Sequence, residues 1–212
     1  MCWETVNNNH SDSTMMKRKD LEMALQSVRN FESPDPALEQ YMTPATMAAD
    51  ILFDAYRRGD VAGMKVVDLG CGTGMFSIGA WMLGAGMVTG YDVSEAALRT
   101  AHANAESAGA EIGFVLSDVS EVDDVADTVF MNPPFGCQNR NADRPFLDRA
   151  MDMAECVYSI HIAETVGFVE EYCERRGRSV AFSKIYKYEI PHTFVFHTKT
   201  KKTVDVAVVN IR

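Results

Sequence analysis

Two short stretches of this 212-residue chain set reactive groups at defined spacing. The first is VVDLGCGTG at 66–74, an apolar run that ends in alternate glycines. Gly70, Gly72 and Gly74 let a backbone turn tightly and approach a ligand closely, and a helix opening after them offers unbonded N–H groups. Asp92 follows about 20 residues later at the end of the next apolar run, where a carboxylate accepts both hydroxyls of a ribose. Strand, glycine turn, helix and acid agree on a ligand that contains a nucleoside. The second stretch is Asn132-Pro133-Pro134-Phe135, directly after a further apolar run. Two prolines hold a rigid extended segment with its carbonyls free.

The ligand's charge follows from its neighbours. Asp68 stands just before the glycines, and two adjacent anions repel, so an ammonium group suits this turn better than a pyrophosphate. A cation joining an amino acid to adenosine is S-adenosyl-L-methionine. Ser117-Asp118, at the exit of the third apolar run, is placed to bind its adenine amino group. At 132–135, the Asn132 side-chain oxygen and the Pro133 carbonyl together accept both hydrogens of a planar amine. Those bonds draw the nitrogen lone pair out of conjugation and aim it at a sulfonium methyl, while Phe135 stacks on a flat ring. Catalysis of this kind comes from positioning and desolvation and needs no strong base.

The elements that must position these residues alternate strand and helix. Strands are expected at 65–69, 87–92, 112–116, 128–132 and 156–162, with helices at 75–84, 94–108, 144–154 and 164–176. Ahead of them, Leu21, Leu25 and Val28 recur at spacings of four and three, which predicts an amphipathic helix over 17–30. A second helix to about Arg58 has Thr43 as its expected N-cap and Pro44 at its first position. After residue 178 the pattern becomes period-two and β-rich, at 179–190, 192–198 and 203–211. The implied fold is a three-layer α/β sandwich around a Rossmann-like, seven-stranded, mostly parallel sheet with an antiparallel C-terminal strand.

Charge is unevenly shared. The net charge is −10, yet residues 175–212 carry nine Lys/Arg against two acids, a local +7 beside −17 for the remainder. An acidic body with a basic end is compatible with local binding of a polyanion. Phe182, Tyr186, Tyr188, Phe194 and Phe196, interleaved with lysines, are candidates to stack on bases. The five cysteines are scattered without a C-x-x-C, and His192 and His197 lack partners at metal spacing, so no metal site and a reduced, cytoplasmic setting are expected. The sequence holds no run of about 18 apolar residues that would cross a membrane, and the polar first twenty residues are not expected to act as a signal peptide.

VVDLGCGTGMFSIGAWMLGAG (66–86), DVSEAAL (92–98) and MNPPFG (131–136) resemble the class I S-adenosylmethionine-dependent methyltransferases, and the NPPF form is typical of those that methylate exocyclic amines, above all adenine N6. LEQYMTPATMAADIL (38–52), CVYSIH (156–161) and PHTFVFHTKTKKTVDVAVVNIR (191–212) are similar to the archaeal and eukaryotic family that makes N6-methyladenosine in small-subunit ribosomal RNA. The likeness covers about residues 17–212 and leaves 1–16 as an expected disordered leader, with Met15-Met16 a candidate start. It makes 17–43 an N-terminal helix and cofactor-covering segment and 44–212 the methyltransferase domain. The resemblance implies that Gln40 and Thr43 fold over the cofactor, that Gly70, Gly72, Thr73 and Met75 line its methionine part, and that Asp92 and Asp118 hold ribose and adenine. It further implies that Asn132, Pro133, Pro134 and Phe135 hold the target base. Lys199, Lys201 and Lys202 would grip RNA. Family members are similar in working with a small zinc-ribbon activator protein that adds a strand, and the short apolar segment Ile112–Leu116 is the edge expected to receive it. The rival readings are the same chemistry on protein glutamine, DNA adenine or guanine N2, and a non-enzymatic RNA-binding scaffold.

Overall fold

In the computed structural model, which describes residues 16–136, 141–191 and 201–212, the apolar runs form one seven-stranded sheet. The strands are β1 (Lys65–Leu69), β2 (Met87–Asp92), β3 (Gly113–Leu116), β4 (Thr128–Met131), β5 (Cys156–Ile162), β6 (Val180–Pro191) and β7 (Lys201–Ile211). They lie in the order β3-β2-β1-β4-β5-β7-β6. β7 pairs antiparallel with both β5 and β6, and the other ladders are parallel. This is the Rossmann-like sheet expected, and its order reverses between β1 and β4. Ligands bind outside the carboxyl ends of strands at such a point.

Strand alternation feeds two separate cores. On one face, Val66, Phe130 and Ile160 pack with Leu21 and Leu25 of α1 (Arg18–Leu25), Ile51 and Leu52 of α2 (Ala45–Arg58) and Ile78 of α3 (Met75–Met82). On the other, Val67, Leu69, Val129, Met131 and Val157 pack with Leu147 and Ala150 of α5 (Arg144–Met153) and Val169 and Cys173 of α6 (Val166–Glu174). Rings of Phe76, Phe130 and Tyr158 stack through the first core, with centroids 5.6 and 5.2 Å apart. Between β2 and β3, α4 (Glu95–Ala108) starts on Ser94, whose hydroxyl accepts the Ala97 N–H, and ends on Gly109 at φ 65°. Among the described residues no helix is long and apolar enough to cross a membrane.

Three local expectations need correction. α1 stops at Leu25 instead of reaching residue 30, because Asn104 captures the chain beyond it: its side chain accepts the Arg29 N–H at 3.0 Å and donates to the Arg29 carbonyl at 3.1 Å. Thr43 does not cap α2. Pro44 occupies the cap position, and the Thr43 hydroxyl is drawn to Asn132 instead. The helix expected over 164–176 begins as a 3-10 turn at Ala163–Thr165 and becomes α6 only at Val166. The leader, apart from Met16, and the strand expected at 192–198 lie outside the described residues.

The far end of α5 is closed from a distance. Arg178 donates to the carbonyl oxygens of Met151, Ala154 and Glu155 at 3.2, 2.8 and 2.8 Å. Met151 lies in the last turn of α5, whose final carbonyls have no partner within the helix, and Ala154 and Glu155 follow its end. Arg178→Ala is expected to cost about 2 kcal/mol, since a charged donor to two part-buried carbonyls and one exposed carbonyl is lost. A thermal melt should record this as a fall of about 6 °C for a domain of this size.

Candidate active site

The carboxyl ends of β1, β2, β3 and β4 open onto a cavity of about 460 Å3. Gln40, Thr43, Asp68, Gly70, Gly72, Thr73, Met75, Asp92, Asp118 and Asn132 all line it, so the fold brings together every residue expected at the cofactor. Its size falls within the usual span of small-molecule sites.

The glycine turn is held by the two acids that flank it. Asp92 accepts the Gly72 N–H at 2.8 Å through one oxygen and the Ser94 N–H at 2.8 Å through the other. Asp68 is 1% exposed, and its Oδ2 accepts both the Ser77 N–H at 2.9 Å and the Ser77 hydroxyl at 2.6 Å. Because α3 starts on Gly74, which has no side chain to cap it, the carboxylate on β1 satisfies one of the helix's free donors instead. Burial pushes the Asp68 carboxyl up to about 7, against the Ser77 hydrogen bonds. Burial also raises Asp92, opposed by the N–H groups of Ser94, Gly72 and Val93. Asp118 is the mouth residue: its Oδ1 accepts the Ser120 N–H and hydroxyl, which lower its pKa, and it caps a 3-10 turn at Val119–Glu121.

An N-terminal segment forms the opposite wall. Gly72 has φ 54°, and a Cβ there would sit 2.8 Å from the Phe31 ring, so only glycine admits this ring over the loop. Asn104 makes the contact by holding Arg29 as described and by donating to the Thr73 carbonyl at 2.9 Å. Gln40 turns inward on the segment itself, its Oε1 accepting the Asp35 N–H at 2.8 Å.

At the end of β4 the two walls meet. The Asn132 Nδ2 donates to Thr43 Oγ1 at 3.1 Å, while Asn132 Oδ1 is buried with no partner among the described residues. Such an acceptor costs about 1–3 kcal/mol to leave unpaired, and native structures keep few of them. Pro133 is buried beneath the cavity and Pro134 lines it. Phe135 is half-buried, with its ring edge-on to Tyr188 at 5.7 Å and its N–H donated to Glu39 Oε2 at 2.7 Å. Glu39 is a buried carboxylate in the left-handed region, at φ 50°, a conformation non-glycine residues adopt rarely.

Four contributors escaped sequence reasoning: Glu39, Tyr188, Asn104 and the Asp143–His161–Ser159 chain. In the last, His161 Nε2 lies 2.7 Å from Ser159 Oγ and Nδ1 lies 3.6 Å from Asp143 Oδ2, which ties the start of α5 to β5. The CVYSIH segment supplied a local signal for that chain. Glu39 stood inside the LEQYMT segment without a role, and Tyr188 was placed as a base-stacking residue although it is 1% exposed. Cys71 lines the cavity, and burial pushes its thiol well above the ordinary range, which disfavours the nucleophilic thiolate. Lys201 and Lys202 lie at the start of β7 by backbone, their side chains outside the described residues, as is the whole of Lys199.

The donor set fits a cationic amino-acid nucleoside. A buried carboxylate faces the glycine turn, two further acids stand at the ends of β2 and β3, and an unpaired acceptor lies beside them. A family model described as "Methyltransferase small domain" matches residues 47–155. The rRNA N(6)-adenosine-methyltransferase METTL5 of Danio rerio is 37% identical over 205 residues, 93% of this chain and 98% of that one. The Drosophila melanogaster protein of the same description is 34% identical over 200 residues, 90% and 94% of the two chains. Among solved structures, PH1948 from Pyrococcus horikoshii is 39% identical and has a TM-score of 0.86, covering 93% of this chain and 98% of that one.

Proposed function

The chain belongs to the methyltransferase small-domain family, among the rRNA N(6)-adenosine-methyltransferases, and from that premise we propose that it methylates adenine N6 in small-subunit ribosomal RNA in the cytoplasm. The observation that carries this reading is the buried Asn132 oxygen at the rim of the cavity, which has no partner among the described residues. S-adenosyl-L-methionine, when bound, supplies an electrophilic methyl group. The chain's own residues do the rest. Asp68 holds the amino group of the methionine part, Asp92 the ribose and Asp118 the adenine, with Gly70, Gly72, Thr73 and Met75 as the floor. Gln40 and Thr43 belong to the covering wall. Asn132 Oδ1 and the Pro133 carbonyl accept the two hydrogens of the target amine and turn its lone pair toward the cavity. Phe135 supports the flat base, and Phe31 and Phe146 exclude water. No side chain must act as a strong base, because a nitrogen that has gained a fourth bond gives its proton to water.

The RNA face is supported by register. β5 ends at Ile162 opposite Val206, but the β6–β7 ladder continues five further pairs to Pro191 and Lys201. That arm runs about 17 Å past the carboxyl end of β5, on the side where Asn132 lies. It carries the basic end of the sequence toward the rim that a flipped base must enter. Changing Lys201 and Lys202 together to alanine is expected to weaken RNA binding and to reduce the slope of log K against log salt by about 1.4. A filter-binding salt titration measures this, and an unchanged slope would remove both lysines from the interface.

At the other edge, among the described residues β3 pairs only with β2, and Val115 and Leu116 on it are 42% and 57% exposed. An apolar, unpaired edge supports the reading that a small zinc-ribbon protein adds a strand there, as the resemblance implies. Labelled methyl transfer to separated ribosomal RNA tests the proposed function, with the partner present. Label is expected in small-subunit RNA. Label in large-subunit RNA, DNA or protein would overturn the substrate.

A further inference from the structure

A target amine that uses the Pro133 carbonyl has a competitor inside the loop itself. Pro133 and Pro134 lack N–H groups, so the first backbone donor after Asn132 is the Phe135 N–H. Two local turns could consume it. A β-turn back to the Asn132 carbonyl would put Pro134 third, where proline is disfavoured because it forces the residue before it out of the helical region. An inverse γ-turn centred on Pro134 suits the fixed φ of proline, and it joins the Phe135 N–H to the Pro133 carbonyl. The loop's own donor would then occupy the acceptor meant for substrate.

In the structure that donor is turned elsewhere. The Phe135 N–H donates to Glu39 Oε2 at 2.7 Å, and among the described residues no backbone N–H reaches the Pro133 carbonyl. Glu39 is buried and stands at φ 50°, just after a 3-10 turn at Pro36–Leu38. Asp35 and Gln40 brace that turn: the Asp35 side chain accepts the Ala37 N–H at 2.9 Å, and Gln40 Oε1 accepts the Asp35 N–H. Glycine takes such a φ without strain, so what glutamate adds at this position is its side chain. Four residues on, Thr43 Oγ1 accepts from Asn132 Nδ2. The covering segment therefore bonds both ends of the stretch from Asn132 to Phe135.

We propose that Glu39 is a positioning residue which holds the Phe135 N–H off the Pro133 carbonyl and so keeps that carbonyl open for the target amine. The proposal rests on the acceptor role given to Pro133 above. It also ties the base site to the cofactor wall, because the carbonyl stays open only while the segment that carries Glu39 is in place.

The test compares wild type with Glu39→Gly and Glu39→Gln. Glycine suits φ 50°, so the first variant removes the carboxylate and should melt at or above the temperature of wild type. The second keeps an acceptor oxygen of the same reach. Crystal structures of both are read for the position of the Phe135 nitrogen. Single-turnover methyl transfer is measured beside the dissociation constants for cofactor and RNA. In Glu39→Gly the Phe135 nitrogen is expected within about 3.2 Å of the Pro133 oxygen. Its rate should fall about thirtyfold, with both dissociation constants within about threefold of wild type. Glu39→Gln is expected to keep the wild-type contact and to recover the rate to within about fivefold. A Phe135 nitrogen that stays clear of the Pro133 oxygen in Glu39→Gly, or an unchanged rate there, overturns the proposal. A rate loss matched by equal loss of cofactor affinity also overturns it, because that is what a merely structural glutamate does. So does a Glu39→Gln rate as low as that of Glu39→Gly, which would make the charge the agent. If the wild type places no methyl on adenine N6, the functional reading fails, while the Phe135 contact in Glu39→Gly still decides whether Glu39 holds that donor off the carbonyl.

Discussion

Asn132→Ala is expected to lower the single-turnover rate of methyl transfer about a thousandfold, the scale on which a preorganised polar group at a reacting centre acts. Cofactor affinity should stay within about twofold of wild type, because the acids and glycines that line the rest of the cavity remain. Stability should not fall with it. Asn132 Oδ1 is already buried without a partner among the described residues, so its removal relieves a desolvation cost of about 1–3 kcal/mol that offsets the lost Thr43 contact and the small void. A melting temperature equal to or above that of wild type, beside near-total loss of transfer, is the signature of an acceptor kept for substrate at the expense of stability. Equal loss of cofactor affinity and rate would instead make Asn132 part of the cofactor wall alone.

The second large effect is electrostatic. Burial raises the Asp68 carboxyl to about 7, so it is mostly protonated at pH 6 and mostly ionised at pH 7.5. A cationic amino group binds the ionised form, so cofactor affinity is expected to rise about tenfold between those values. Asp68→Asn should lower affinity at pH 7.5 and flatten the profile, as isothermal calorimetry would show. The stability of the free protein runs the other way. The folded state holds a proton on Asp68 that the unfolded chain has already lost, so this group's contribution is full below pH 4 and is lost as pH rises to 7. Its upper size is about 4 kcal/mol for three units. Cofactor binding and folding thus respond to the same titration with opposite sign. An affinity that falls across this range would contradict the assignment of Asp68.

Periodicity and turn chemistry made the parallel half of the sheet legible: β1, β2 and β5 begin and end where the sequence pattern puts them, and β3 lies at the edge. The cavity residues were equally legible, because Gly70, Gly72, Asp92 and Asn132 sit at strand ends that the fold aligns. What the pattern did not carry is tertiary. Asn104 ends α1 early from a helix 75 residues on. Glu39 holds Phe135 across 96 residues. Tyr188 alternates correctly for a strand, but which face of β6 meets the site depends on its pairing with β7, and a bulge between Phe182 and Lys184 shifts that register. Thr43 read as a helix cap from local sequence alone, since nothing nearby shows that Asn132 competes for its hydroxyl.

The account stands most directly on the identity of the methylated atom. Ribosomal RNA, incubated with the enzyme, the proposed zinc-ribbon partner and labelled cofactor, would be digested and its nucleosides separated by mass spectrometry. The predicted result is label in N6-methyladenosine alone, absent when Asn132→Ala replaces the wild type. Label on guanine N2, or N6-methyladenosine made equally well by Asn132→Ala, would contradict the account.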